Sequence, residues 1–435
     1  MYRLFFAKRE SDVPAIVQML RESAHQEGAL SARLGDAHER IGDLEDQNRQ
    51  LTVAVEALKA EGAKPDAPPA IDQALKLLSA GETAAAEAVF EEVKARRKAE
   101  GEGALKEAAA AARHIGALAF LHDTDKAVAA YREAVALDPD DPDGWNQLGH
   151  LLNRTGDLDG AAEAYNRVLS LGNRTADQGL IAVATGNLGI LYFTRGEFDR
   201  AEEMYRKSLE LDEALGRKEG LASQYGNLGN LYQTRGELDR AEEMYRKSLE
   251  IYEALGRKDG MAAAAGNLGI LYQARGEFDR AEKMYRESLS LNEALGRKEG
   301  MANQFGNLGN LYLARVELDR AEEMYRESLE LMQAIEHAEG MATGYGNLGN
   351  LYLIRDEFDR AKEMYGKSLE INEALGHKDG MARDYANLGT LYVIRGERDR
   401  AEEMYRKSLG LLHEIGAVPK IEHVEGLLAE LSEAD

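Results

Sequence analysis

Apolar and polar positions alternate in two kinds of block along most of this chain, and the two together recur every 40 residues from Asn187 onward. In the copy at residues 221–260, Tyr225, Leu228, Gly229, Leu231 and Tyr232 follow the i, i+3, i+4, i+7 spacing of a helix with one apolar face. Arg235-Gly236-Glu237 interrupts the pattern, and a Gly just past the last periodic residue is a left-handed helix stop. A second helical pattern follows at Leu238, Ala241, Met244, Tyr245, Leu249 and Ile251. Its polar side pairs Glu242 with Arg246 and Glu243 with Lys247, acid before base at i, i+4, worth about 0.2–0.5 kcal/mol per pair. Residues 254–260 read as the loop into the next first helix.

The repetition is strict. Asn-Leu-Gly recurs at Asn187, Asn227, Asn267, Asn307, Asn347 and Asn387, and a run like Asp-Arg-Ala-Glu-Glu-Met-Tyr begins at Asp199, Asp239, Asp279, Asp319, Asp359 and Asp399. Such a period predicts a solenoid whose repeats bury their apolar faces only against neighbours. One repeat cannot fold alone. Ordering it costs about 1–2 kcal/mol per residue, and its handful of large apolar side chains returns only about 1.5–3 kcal/mol each. Gly229 and Ala241, with their equivalents, are expected where paired helices approach most closely; a larger side chain there overpacks the contact by about 1–3 kcal/mol. Two stop glycines are replaced, by Val316 and Asp356. If those positions need positive φ, Val316 is an outlier and its turn geometry is in question.

The order Asn-Leu-Gly-Asn-Leu-Tyr, then Gly, then Ala and Tyr, resembles the tetratricopeptide repeat, whose usual length is about 34 residues. The residues added here are expected to lengthen the second helix and its loop. This longer form is similar to the repeats of Pins-type spindle-orientation adaptors and, more loosely, kinesin light chains. The resemblance spans residues 70–435 and implies an all-α, right-handed superhelical solenoid of about nine helix pairs. Residues 176–416 hold the six long repeats, and residues 70–175 hold degenerate and standard-length ones. Trp145, Leu148, Gly149, Ala161 and Tyr165 match one standard copy; Ala127, Tyr131, Ala134 and Pro139 match half of another, with Ile115 where its Gly is expected. Leu75, Leu78, Ala86, Phe90 and Val93 mark a further pair. Residues 417–435 align with a first helix alone, and Glu422, Glu425 and Glu430 suit a polar-faced capping helix.

The resemblance also implies that first helices line a concave groove. Its candidate peptide-binding residues are then Asn187, Asn227, Asn267, Asn307, Asn347 and Asn387 in one column. Asn230, Asn310 and Asn350 lie one turn on, beside Ile190, Ile270 and Thr390, and Gln233 and Gln273 follow, with Phe193, Leu313, Leu353 and Val393 in the same column. Asn303 and Arg383 belong to a further column that varies as Val183, Ser223, Ala263, Asn303, Thr343, Arg383. Carboxamides offer both a donor and an acceptor, so such columns can pair with an extended peptide backbone. They can equally brace neighbouring repeats. The groove columns vary between copies while the Glu202-type positions hardly change, a contrast that favours a differentiated binding surface.

Residues 29–60 change period. Leu34, Ile41, Asn48 and Val55 fall at heptad position a, and Leu30, Ala37, Leu44, Leu51 and Leu58 at d. This is a coiled-coil seam of about four heptads favouring two parallel strands, with Asn48 fixing register. Leu34, Ile41, Leu44, Asn48, Leu51, Val55 and Leu58 are the candidate oligomerisation residues of an arm over residues 1–60, which makes a homo-oligomer the expectation. Gly28, Gly35 and Gly42 each cost about 1 kcal/mol of helix propensity, and the alternative is a helix folded back on its own solenoid. Residues 61–69 read as a proline-stiffened linker.

Net charge is −24, almost all of it beyond residue 60, which disfavours nucleic acid and anionic membrane as partners. There is no cysteine, the N-terminal apolar run is too short for a signal peptide, and no stretch reaches about 18 apolar residues, so a cytoplasmic protein is expected. Its histidines form no ligand pair, so no metal is expected. No phosphate-binding loop occurs, so no cofactor or enzymatic activity is expected. The reading is a scaffold or adaptor that holds a partner peptide or helix in its groove. The alternatives are a self-assembling homo-oligomer or filament, and a regulatory subunit controlling a separate enzyme.

Overall fold

The computed structural model describes residues 69–79, 83–99, 104–120 and 123–433. The arm at residues 1–60 and its seam Leu34, Ile41, Leu44, Asn48, Leu51, Val55 and Leu58 lie outside the described residues. Among the described residues, nineteen helices follow one another, pairing in sequence into nine hairpins and a last single helix. The described helices fall into two compact units, one up to residue 251 and one from residue 252 onward.

The first unit contains α1 (Pro69–Ser79), α2 (Thr83–Ala99), α3 (Leu105–Ala119), α4 (Thr124–Leu137), α5 (Pro142–Arg154), α6 (Leu158–Thr175), α7 (Gln178–Thr194), α8 (Phe198–Leu215), α9 (Lys218–Thr234) and most of α10 (Leu238–Leu255). In the second are α11 (Lys258–Ala274), α12 (Phe278–Leu295), α13 (Lys298–Ala314), α14 (Leu318–Ala334), α15 (Ala338–Ile354), α16 (Phe358–Leu375), α17 (Lys378–Ile394), α18 (Arg398–Ile415) and α19 (Val418–Glu433). The extra residues of the long repeat lie only partly where the sequence placed them: the second helix lengthens as expected, but so does the first, and the loop does not. The first helix grows from 13 residues in α5 to 17 in α7, and the second from 14 in α4 to 18 in α8. The loop shortens instead, to Gly216-Arg217 between α8 and α9. Residues 254–260 are likewise mostly helical, with only Gly256-Arg257 between α10 and α11.

Every hairpin from α3–α4 to α17–α18 is locked by a tyrosine from its second helix against a glycine on its first. A Cβ on Gly229 would sit 2.4 Å from the ring of Tyr245, and one on Gly309 would sit 2.5 Å from Tyr325. Both tyrosines are fully buried, as are Ala241 and Ala321 beside them. The expected close approach is therefore real, and the glycine is what permits it. One expectation moves by a residue. Gly116, not Ile115, takes this role against Tyr131, while Ile115 joins Ile71, Phe90 and Leu118 in the core of the first hairpins.

The turns without glycine keep the glycine geometry. Val316 has φ 64° and Asp356 φ 59°, against 75° at Gly236 and Gly276. The hydrogen bond from Glu317 N to the Tyr312 carbonyl, 2.9 Å, matches that from Glu237 N to Tyr232, 2.8 Å. Glu336 also takes positive φ, where the other long repeats use glycine. The stack is over-determined by packing, so these side chains are held in a conformation they disfavour. At the C-terminal side, α19 buries Val424 and Leu431 and exposes Glu422, Glu425 and Glu430.

Candidate functional site

First helices of successive repeats touch one another directly: α5 with α7 and α7 with α9 in the first unit, α11 with α13 and α15 with α17 in the second. The expected groove columns lie on these helices, and the structure separates their members into braces and available groups.

In the first unit, Asn187 is buried and donates to Asn146 Oδ1 at 2.6 Å. It is a brace between repeats and not an open lining group, which corrects its expected role. Asn227 is half-buried and lies 3.4 Å from Gln224 Oε1 in its own helix. The Tyr245 hydroxyl lies 2.7 Å from Asn230 Oδ1 and 2.9 Å from Gln233 Oε1, sharing one proton between them.

In the second unit, Tyr325 donates to Asn310 and Tyr365 to Asn350, both at 2.7 Å, and Tyr285 donates to Gln273 at 2.9 Å. Asn310 and Asn350 are nonetheless exposed. With the carbonyl fixed by the tyrosine, each presents its NH2 edge outward. These amides hold the hydroxyl of a buried ring, which would otherwise lack a partner. Asn307 lies 3.5 Å from Gln304 Oε1. Asn267, Asn303, Asn347, Arg383 and Asn387 are half-buried along the same helices. Across all four columns of this unit, from Ala263 to Val393, Arg383 is the one charged residue and no acid occurs.

The Glu202-type residues are not a solvated outer face. The Glu202 side chain is only 19% exposed, and Arg235 of the next repeat reaches back to both Glu202 and Asp199. Tyr232 donates to Glu202 at 2.7 Å, and the Arg240 guanidinium lies 3.8 Å over the Tyr232 ring. The second unit repeats the clasp through Arg315 on Glu282 and Asp279, and through Arg355 on Glu322 and Asp319. Burial pushes the Glu202 carboxyl up, but hydrogen bonds from Tyr232, Arg206 and Arg235 outweigh it and hold the group at about 2. Near-invariance of this glutamate across copies therefore follows from a structural requirement, so the contrast with the groove columns no longer argues for binding by itself. Lys362 marks the exception, leaving Arg395 with Asp359 and Glu397. The fixed offset from each arginine to the preceding repeat's acids was the unread signal in the sequence. Glu203 and its kind remain exposed.

Among the described residues, no group of three or more His, Asp and Glu could hold a metal ion. No helix among them is long and apolar enough to cross a membrane.

Two family models match: "Tetratricopeptide repeat" at residues 142–214, 220–294, 260–334, 300–374 and 340–412, and "TPR repeat" at residues 122–156. The chain belongs to the tetratricopeptide repeat family, whose fold is an all-α solenoid and whose arrays are protein-interaction scaffolds. No curated protein matches it significantly. Among solved structures it is similar to a signal-transduction ATPase with a tetratricopeptide repeat sensor from Pyrococcus horikoshii, at 15% identity and TM-score 0.55, covering 80% of this chain and 54% of that one. It is also similar to aspartyl phosphate phosphatase F from Bacillus subtilis, at 12% identity and TM-score 0.51, covering 79% and 92%. A third is apo RapI, at 15% identity and TM-score 0.52, covering 63% and 99%. At these identities the likeness is one of fold.

Proposed function

We propose that this chain is an adaptor that holds an uncharged, extended stretch of a partner protein along the first helices of its second unit. The observation that carries this reading is the composition of the face. Carboxamides at Asn267, Asn307, Asn310, Asn347, Asn350 and Asn387 alternate with Ile270, Leu313, Leu353 and Val393, with no acid among them, in a chain of net charge −24.

Amides match a peptide's own N–H and C=O groups, and six such bonds at about 0.5–1.5 kcal/mol each supply roughly 3–9 kcal/mol before ordering costs. The apolar members add burial, at about 25 cal/mol per Å² of apolar surface covered. A charged residue docked there, away from Arg383, would lose its water and find no counter-ion, which costs several kcal/mol. The face thus selects against charge and for a backbone that runs extended. Dimerisation through residues 29–60 is part of the same proposal and would present two such faces in one assembly.

Panning a random-peptide display library against the full chain tests this. Enriched peptides should be poor in charged residues, and enrichment should be lost with the double variant Asn347→Ala/Asn387→Ala. Those two amides do not hold the buried tyrosines, so the fold is spared. Enrichment of strongly charged peptides, or enrichment indifferent to the double variant, would overturn the reading.

A further inference from the structure

The seams between repeats are of two alternating kinds. At the seam formed by α8 and α9, Asp212 and Gln224 are both buried; at that of α12 and α13, Asn292 and Gln304; at that of α16 and α17, Asn372 and Asp384. Each pair is a polar side chain near the end of a second helix with one on the next first helix. The seam of α14 and α15 carries Met332 and Gly344 at the same two positions. Beneath the 40-residue repeat there is thus a period of two repeats, with polar seams at alternate joints.

The middle polar seam is all carboxamide. In the other two, one carboxamide is replaced by a carboxyl group: Asp212 at the position of Asn292, and Asp384, one methylene shorter, at that of Gln304. Asp212 has a cation close by, with Arg217 Nε 3.4 Å from its Oδ1. Asp384 is the more isolated case. It is fully buried, its Oδ2 accepts from Ser368 Oγ at 2.8 Å and Asn372 Nδ2 at 2.7 Å, and its Oδ1 has no hydrogen-bond partner.

The charged and titratable groups around it are few. From α16 come Tyr365 and Glu373, the latter 3.3 Å from the Tyr385 hydroxyl. From α15 comes Glu339, 3.9 Å from His377, whose ring in turn faces Asn372 Oδ1 at 3.3 Å. Lys420 of α19 is taken by Asp379 at 2.7 Å, and Glu414 of α18 by Lys378 at 3.0 Å. Arg383, its chain neighbour, acts on Asp384 through space.

We propose that the seam between α16 and α17 is a pH-responsive joint, held closed while Asp384 is a neutral carboxylic acid that imitates the carboxamide of the α12–α13 seam, and loosened when it ionises. An ionised carboxylate here keeps one oxygen unpaired in the core, which the neutral form does not charge. Burial raises the Asp384 carboxyl above its ordinary 3.8, and Arg383, Ser368 and Asn372 only partly offset that. The folded form therefore binds the proton more tightly than the unfolded chain. Stability of the joint is fully present below pH 3.8 and declines as pH rises toward the raised value. Ionised Asp384 would also partly neutralise Arg383 from behind, changing the one charge on the partner-facing columns.

Hydrogen exchange of the full chain, corrected for intrinsic rates, from about pH 4 to about pH 8 tests the joint. Protection of Phe358–Ile394 should fall severalfold over this range in the wild type, and stay level in Asp384→Asn. The seam of Asn292 and Gln304 in the same molecule should stay level in both. Parallel profiles for the wild type and Asp384→Asn would overturn the proposal. Should that variant fail to fold, Ser368→Ala decides: it removes a donor to the ionised oxygen, so the loss of protection must move to higher pH, and an unmoved midpoint overturns the proposal.

Discussion

Two glycines one turn apart on α13 should respond oppositely to the same substitution. A Cβ on Gly309 would lie 2.5 Å from Cδ1 and Cε1 of Tyr325, about 1 Å inside ordinary carbon contact. The ring cannot withdraw, because it is 1% exposed and its hydroxyl is bonded to Asn310 at 2.7 Å. Overpacking of that severity costs about 3 kcal/mol, and the helix propensity gained from Ala returns about 1, for a net loss near 2 kcal/mol. A Cβ on Gly306 meets only Ser328 Oγ, at 3.7 Å, so Gly306→Ala should gain the full propensity of about 1 kcal/mol. The chain has made this substitution once, with Ala386 in the sixth long repeat, while keeping Gly389. Because repeat arrays open locally, the assay is hydrogen exchange of α13 and α14, not a global two-state melt. The two variants should differ in protection there by roughly a hundredfold. Equal shifts, or a neutral Gly309→Ala, would refute the claim that the glycine exists to admit the tyrosine.

Val316→Gly should slow hydrogen exchange of α13 and α14, since it relieves a β-branched residue at φ 64° worth about 1 kcal/mol after the entropy of glycine is counted; no change would mean the turn carries no strain. Arg355→Ala removes the clasp on Glu322, whose side chain is 17% exposed, and should loosen that joint by about 1.5–3 kcal/mol, while Arg395→Ala, facing Lys362 instead of a glutamate, should do clearly less. Hydrogen exchange of the helices at the two joints decides, and equal losses of protection would count against the clasp. Acid should weaken the clasps. At Glu322 burial raises the carboxyl, but Tyr352, Arg326 and Arg355 overcome it and hold the group at about 2, below its ordinary 4.5. Its stabilisation is therefore present above pH 4.5 and lost as pH falls through about 2, and Glu322→Gln should remove that part of the acid transition.

Much of the fold could be read directly from periodicity. The hairpins of the six long repeats, the close approach at Gly229 and Ala241 and the stop at Gly236 follow from spacing, because each repeat solves the same packing problem; that a tyrosine ring fills the contact did not. Helix length did not follow. Residues 254–260 look like a loop by composition, yet tertiary packing extends α10 and α11 through most of them. The sequence put the amide columns on the first helices, but it did not show what each amide touches. Nothing in one repeat reveals that Asn310 holds the Tyr325 hydroxyl, or that Glu202 is gripped from the next repeat, because those partners lie 15 and 33 residues away. The alternation of seams was visible in principle, as Gln224, Gln304 and Asp384 against Ala264 and Gly344, but only comparison over two repeats exposes it.

The central claim is that an uncharged peptide lies extended on the first helices of the second unit. Its most direct measurement is calorimetric titration of a display-enriched, charge-free peptide into the full chain and into Asn347→Ala/Asn387→Ala, with circular dichroism to establish that both are folded alike. A tenfold or greater loss of affinity in the folded double variant, about 1.4 kcal/mol, is the predicted result. Unchanged affinity in a folded double variant would contradict the account and leave the amide columns as braces alone.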